Sequence, residues 1–301
     1  MEKIIFATRP SKLARWQTGY VIQRLQQATP GLVCEEKVIT TRGDKVLDSP
    51  LPEIGGKGLF TQELEAELLA GNVDLAVHSL KDLPVEDAPG LVVGAIPERA
   101  DPRDVLVSSA DETIASLREG AVVGTSSLRR QAQLQHLRPD LVIKPIRGNV
   151  DTRIGKVTDG DYDAAIMAGA GITRLGLDAR ISEWLPFDVM LPAPGQGALG
   201  IQFRAGDERI QESLAVIHHQ PTALAVRAER AFLLALGGGC SIPVGAYARA
   251  ADGMLTLEGV VASVDGKRII KVSDQGTFPE ELGESLAQKA LEQGAGEILN
   301  E

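Results

Sequence analysis

Apolar residues in this chain fall into short unbroken runs that alternate with stretches where they recur every three or four positions, a pattern of strands interleaved with amphipathic helices. Lys3–Thr8 reads as a strand. Residues 13–26 follow as a helix that turns Leu13, Trp16, Tyr20 and Leu25 towards a core, and 34–40 as a second strand. Thr61 is placed to cap a helix carrying Leu64, Leu68 and Leu69, with Glu63 and Glu65 in its first turn and Gly71 at its stop. A third strand at 74–78 completes a rhythm that predicts a mainly parallel sheet.

The rhythm breaks at a charged, proline-bounded crossing, 97–102, and then resumes. Strands are expected at 104–108, 121–124, 141–146 and 162–167, with helices from Ser127 and near Asp151. A second proline- and glycine-rich crossing, 191–197, leads to an apolar strand at 198–202 that is free to rejoin the first sheet; two crossings suggest a hinge. Beyond Pro221, the spacing of Leu224, Ala228, Phe232 and Ala235 is helical and stops at Gly237. Short strands at 254–260 and 268–272 and a closing helix at 279–292 end the chain. The fold class expected is α/β: a first domain of 1–97 plus 198–216, a second of 102–192, and a smaller α+β domain of 220–301.

With 301 residues, 44% of them apolar, the chain can build two or three cores. A formal charge of −10 opposes general attraction to nucleic acid or an anionic membrane, so neither is expected as a partner. The chain opens on a strand-like run with no basic region leading into a long apolar one, which gives no sign of an export signal or spanning helix and points to a cytoplasmic setting. Of two cysteines, Cys34 lies in a predicted strand and is assigned no chemistry. No cysteine and histidine spacing resembles a zinc site, so no metal is expected. Cys240 stands in Gly-Gly-Gly-Cys-Ser-Ile-Pro-Val-Gly-Ala, where glycines leave little to cover a thiol. It is either a point of covalent attachment or a buried cysteine in a helix-to-strand turn, and the segment alone leaves both open.

In open α/β sheets, ligands bind beyond the carboxyl ends of the strands. The residues just past those ends are Arg9, Ser11 and Lys12; Ser79, Lys81 and Asp82; Thr125, Ser126, Ser127, Arg129 and Arg130; Arg147 and Arg153; and Gly169, Gly171 and Arg174. Arg129 and Arg130 fall in the first turn of a helix, where positive charge opposes the helix dipole, a placement that an anionic ligand would explain. Arginine grips carboxylate or phosphate in a bidentate fork. Asp82, set among these cations, can stabilise a developing cation or accept a proton. Taken alone, the motif is accounted for slightly better by a Lys-Asp turn on the surface. His78 reads as a hydrogen-bonded core residue. Gly55-Gly56-Lys57-Gly58 lacks P-loop spacing and reads as a mobile loop from which Lys57 and Phe60 can cover a cleft.

Seven motifs in order make the chain resemble the porphobilinogen deaminase family over nearly its whole length. They are Ala7 to Ala14 (ATRPSKLA), Gly56 to Phe60 (GKGLF), His78 to Pro84 (HSLKDLP), Gly124 to Arg130 (GTSSLRR), Arg147 to Arg153 (RGNVDTR), Pro194 to Ala198 (PGQGA) and Gly238 to Cys240 (GGC). The resemblance implies three domains, the first two similar to periplasmic binding proteins. It implies a transferase, monomeric, that joins four porphobilinogen molecules head to tail with loss of ammonia to give hydroxymethylbilane. It also implies a dipyrromethane cofactor held by a thioether to Cys240. By motif position, Ser79, Lys81, Asp82, Thr125, Ser127, Arg129 and Arg130 would hold that cofactor. Arg9, Ser11, Arg147, Arg153, Arg174 and Gln196 would meet the incoming substrate or later rings, Lys57 and Phe60 would lie in a lid, and Asp82 would be catalytic. An exported ligand-binding protein would need neither Cys240 nor Asp82, and a regulator would usually add a nucleic-acid-binding module, which the sequence does not suggest. The helix leading to Cys240 ends with its negative pole nearby, which disfavours a thiolate and suits an anchor formed once.

Overall fold

Residues 3–45, 58–238 and 242–300 are described by the structure, a computed structural model. Strand β1 (Lys3–Thr8) is apolar on both faces: Ile4 and Phe6 enter one core while Ile5 and Ala7 enter another. That is the character of a strand covered on both sides by helices. Helix α1 (Lys12–Ala28) starts at Ser11, whose hydroxyl accepts from the Ala14 amide at 3.2 Å. Its buried stripe is Ala14, Gln17, Thr18, Val21 and Leu25, one step round from the stripe expected. Small side chains at Ala14 and Thr18 let the helix lie close to the sheet, and Trp16, 39% exposed, turns to the flank to stack on Tyr20.

β2 (Val33–Val38), the one-turn α2 (Arg42–Lys45), α3 (Gln62–Leu69), β3 (Leu75–Ser79), a 3-10 turn Leu80–Asp82 and β4 (Leu91–Ala95) follow. After the crossing come β5 (Asp104–Ser108), β6 (Val122–Gly124), α4 (Leu128–Leu137), β7 (Val142–Lys144), α5 (Val150–Thr158), β8 (Ala164–Ala168), α6 (Gly169–Arg174) and β9 (Glu183–Trp184). The chain then returns through β10 (Leu199–Arg204) and α7 (Glu208–Ala215). The first sheet has the order β2-β1-β3-β10-β4 and the second β7-β6-β8-β5-β9. The two orders are equivalent. Each crossing delivers its strand antiparallel beside the third strand of a sheet, β5 against β8 and β10 against β3. The mainly parallel sheet expected is therefore corrected to a mixed one: β1 pairs in parallel with β2 and β3, but β10 is antiparallel to both its neighbours.

The last part of the chain is a three-stranded antiparallel meander of β11 (Val244–Ala251), β12 (Met254–Ala262) and β13 (Ile269–Gly276). Helix α8 (Gln220–Ala235) precedes it, and α9 (Pro279–Glu292) and α10 (Ala295–Leu299) follow. Phe232 of α8 and Leu286 of α9 lie in one core with Leu257 of β12. Gly259 admits this packing, since a Cβ there would stand 2.5 Å from the Phe232 ring. The architecture is thus two α/β domains and a smaller α+β domain.

Candidate active site

The carboxyl ends of β1 and β3 face those of β6 and β8 across a narrow crevice. Gln17, Ser79 and Lys81 line it from the first domain, Gly171 and Arg174 from the second, and Gly197 from the returning crossing. Strand ends concentrate chemistry here because chain order reverses at these positions and leaves a gap between the outgoing loops.

Lys81 and Asp82 ride on the 3-10 turn that ends β3, Lys81 half-buried and Asp82 exposed. The Lys81 ammonium donates to Gln196 Oε1 at 3.1 Å. Burial pushes its pKa down to about 8, helped by the positive charge of Arg130 and opposed by Asp82 and Asp104. Gln196 is fully buried: its amide nitrogen donates to Pro102 O at 2.7 Å and to Asp104 Oδ1 at 2.8 Å, and its oxygen also accepts from Arg130 at 3.5 Å. Every polar position of this side chain is used inside the protein. In this arrangement Gln196 is a brace between the turn of the first domain and the arginines of the second.

Arg129 and Arg130 are almost wholly buried, and both pair with Asp104 at 2.7 Å. Arg129 also donates to Leu191 O, and Arg130 to Ile166 O. Burial works against ionisation of Asp104, but the charges of the two arginines win and hold its carboxyl far below the usual range. Asp104 therefore supplies an internal reason for two arginines in the first turn of α4, where the sequence suggested only an external anion. Arg129 Nε is nonetheless buried and, among the described residues, without an acceptor.

Arg153 and Arg174 differ from that pair. They are half-buried, and their hydrogen bonds go to neutral carbonyls, Gly148 O at 2.7 Å and Gly197 O at 2.6 Å. Burial lowers both to about 10; in Arg153, Arg130 and Arg147 add to the effect and Asp82 opposes it. The charges of Asp82 and Arg130 thus reach both Lys81 of the first domain and Arg153 of the second. Arg9 is engaged elsewhere: it pairs with Asp44 at 2.5 Å and lies 4.2 Å over the Phe60 ring. Burial opposes ionisation of Asp44, but the hydrogen bond and charge of Arg9, with the Thr41 amide and hydroxyl, hold it below the carboxylate range.

Of the predicted hydroxyls, Ser11 and Ser127 cap α1 and α4, Thr125 Oγ1 accepts from the Ser127 amide at 3.2 Å, and Ser79 Oγ accepts from Gln17 at 2.8 Å. Cys240 and Lys57 lie outside the described residues. Sequence reasoning missed Gln17 and Asp104. The signals were there, a glutamine on the buried stripe of a helix and a carboxylate opening an apolar strand, but neither names its partner.

A family model described as "Porphobilinogen deaminase, dipyromethane cofactor binding domain" matches residues 4–212, and one described as "Porphobilinogen deaminase, C-terminal domain" matches residues 223–292. The chain belongs to the porphobilinogen deaminase family. Its function is hydroxymethylbilane synthesis, with dipyrromethane as cofactor. It is 51% identical over 303 residues to the porphobilinogen deaminase of Moorella thermoacetica, covering 100% of this chain and 97% of that one. Among solved structures it is similar to the Bordetella pertussis BvgS periplasmic VFT2 domain, with a TM-score of 0.43 and 17% identity, covering 71% of this chain and 86% of that one. The BenM effector binding domain with its effector benzoate gives 0.43 and 13%, covering 71% and 88%. The residues present fit a dipyrromethane. A group built of two porphobilinogen units carries a carboxylate on each acetate and propionate arm, and the site offers an orphaned buried donor on Arg129 beside half-buried cations at Lys81 and Arg153.

Proposed function

We propose that Asp82 is the catalytic carboxylate of hydroxymethylbilane synthesis and that the cleft around it is the site of chain growth. Ser79, Lys81, Thr125, Ser127, Arg129 and Arg130 hold the cofactor carboxylates, and Cys240 carries the thioether. Arg9, Ser11, Arg147, Arg153 and Arg174 receive the carboxylates of incoming porphobilinogen and of later rings, with Lys57 and Phe60 belonging to a lid over the cleft. When bound, the cofactor supplies the pyrrole carbon to which the first unit is joined. Asp82 would stabilise the positive charge that develops on pyrrole nitrogen as each carbon–carbon bond replaces the carbon–nitrogen bond lost with ammonia, and would accept the proton released from the ring carbon. The chain acts as a cytoplasmic transferase and a monomer, without nucleic acid, with domains of 1–97 plus 198–216, 102–192 and 220–301. Its charge of −10 supports that choice of partners.

The observation that carries this reading is the charge of Asp82 acting on both Lys81 and Arg153, from opposite sides of the gap. Asp82→Ala is expected to lose about 10²–10⁴ in turnover while keeping the unfolding temperature of the parent, the scale of a positioned acid or base. Intact mass of the denatured protein should show two linked pyrrole units, absent from Cys240→Ala. Turnover near the parent in Asp82→Ala would overturn the assignment.

A further inference from the structure

We propose that Arg230 of α8 is a positioning residue for Asp82, holding from the third domain the turn on which Asp82 rides. Arg230 Nη2 donates to Pro84 O at 2.5 Å and Val85 O at 2.9 Å, and Nη1 reaches Leu80 O and Leu83 O at 3.4 Å. Four carbonyls of one short segment converge on one guanidinium. The turn's own main-chain ties, Leu80 N to Ala198 O at 3.0 Å and Leu83 N to Leu80 O at 3.2 Å, fix its start. Past that point Pro84 has no N–H to give, and carbonyls leaving the turn need donors from elsewhere. A planar fork of five N–H groups suits that need, and an ammonium, a single point of charge, does not.

The same face of α8 reinforces the grip. Ala223 and Val226, about two turns and one turn before Arg230, pack in one cluster with Leu80 and Leu83. Glu229, next to Arg230 and fully buried, accepts from Gly195 N at 2.7 Å and from both Nη atoms of Arg99 at 2.6 and 3.1 Å. Arg99 Nε in turn donates to Gln196 O at 2.7 Å, and Gln196 receives Lys81. One helix therefore fixes the backbone under Asp82 and the acceptor of the neighbouring Lys81. The same helix leads towards Cys240. The third domain thereby has a part in the reaction besides carrying the cysteine: it sets where Asp82 stands relative to the arginines of the second domain.

This rests on the role proposed for Asp82, and the test separates the two. Arg230→Gln and Arg230→Lys are made in the full chain, and each is followed by hydrogen exchange of the 79–86 segment, steady-state kinetics and intact mass. In Arg230→Gln, exchange of that segment is expected to quicken about tenfold while β1 and β6 keep parent rates. The kcat should fall about tenfold to hundredfold with KM within about threefold, the cost of a displaced catalytic group, and the cofactor mass should remain. Arg230→Lys should recover only part of the kcat, and it carries the test if Arg230→Gln does not fold. Unchanged exchange at 79–86 overturns the proposal, as does parent kcat per loaded molecule in a variant whose segment exchanges faster. Parent turnover in Asp82→Ala would instead sink the role of Asp82 and leave the exchange result standing.

Discussion

Two sets of arginines stand at strand ends of the second domain, and they are built differently. Arg129 and Arg130 lie inside the protein against Asp104, with carbonyls and Gln196 taking up further donors. Arg153 and Arg174 are half-buried and are steadied by carbonyls, which fix the side chain without neutralising its charge. Burying a guanidinium costs several kcal/mol unless a carboxylate offsets it, so the buried pair needed a partner built into the fold. The half-buried pair, steadied but not neutralised, suits the substrate contact proposed for it, while Arg129 keeps one buried donor, Nε, for the cofactor contact proposed for it. An arginine at a strand end is thus not in itself a ligand contact; what its donors meet decides.

That contrast can be broken at three points. The largest change in stability is expected from Asp104→Asn, which leaves two buried guanidiniums with one neutral oxygen. Stability should fall by about 3–5 kcal/mol, read as a lower denaturant midpoint, and a change below about 1 kcal/mol would show that the pair does not depend on its internal carboxylate. Arg153→Gln and Arg174→Gln should do the reverse, each raising KM for porphobilinogen about tenfold while costing about 1 kcal/mol of stability or less. If they unfold the protein as readily as Asp104→Asn, the two sets are alike after all. The smallest effect concerns pH. The Lys81 amine, with a pKa of about 8, is protonated below that value and neutral above it, so the cleft loses one positive charge as pH rises past 8. KM should then rise above pH 8 in the parent. Lys81→Arg, charged throughout that range, should show no such rise, and identical profiles would remove Lys81 from the anion site.

Much of the fold was legible because it is local. Lys3–Thr8 and Pro279–Glu292 follow from a hydrophobic period, and the start of α4 from the cap at Ser127. The turn of α1 about its axis was not, because the side that faces the sheet is chosen by how closely Ala14 and Thr18 allow approach, against a bias towards large apolar residues. The antiparallel entry of β5 and β10 was hidden for a similar reason: strand direction is set by which sheet a crossing reaches. At the site, the chemical types were readable from their positions after the strands. The destinations of their hydrogen bonds were not.

The sequence by itself determined the alternation of elements, the family and the inventory of cations, hydroxyls and one aspartate at the strand ends, since each depends on residue type and near spacing. Only the tertiary structure decided which charges are used up within the protein. Asp104 is 25 and 26 residues from its arginines, Gln196 is 115 from Lys81, and Arg230 is about 150 from the turn it holds. Coulomb and hydrogen-bond energies depend on distance in space, and spacing along the chain carries no record of partners so far apart.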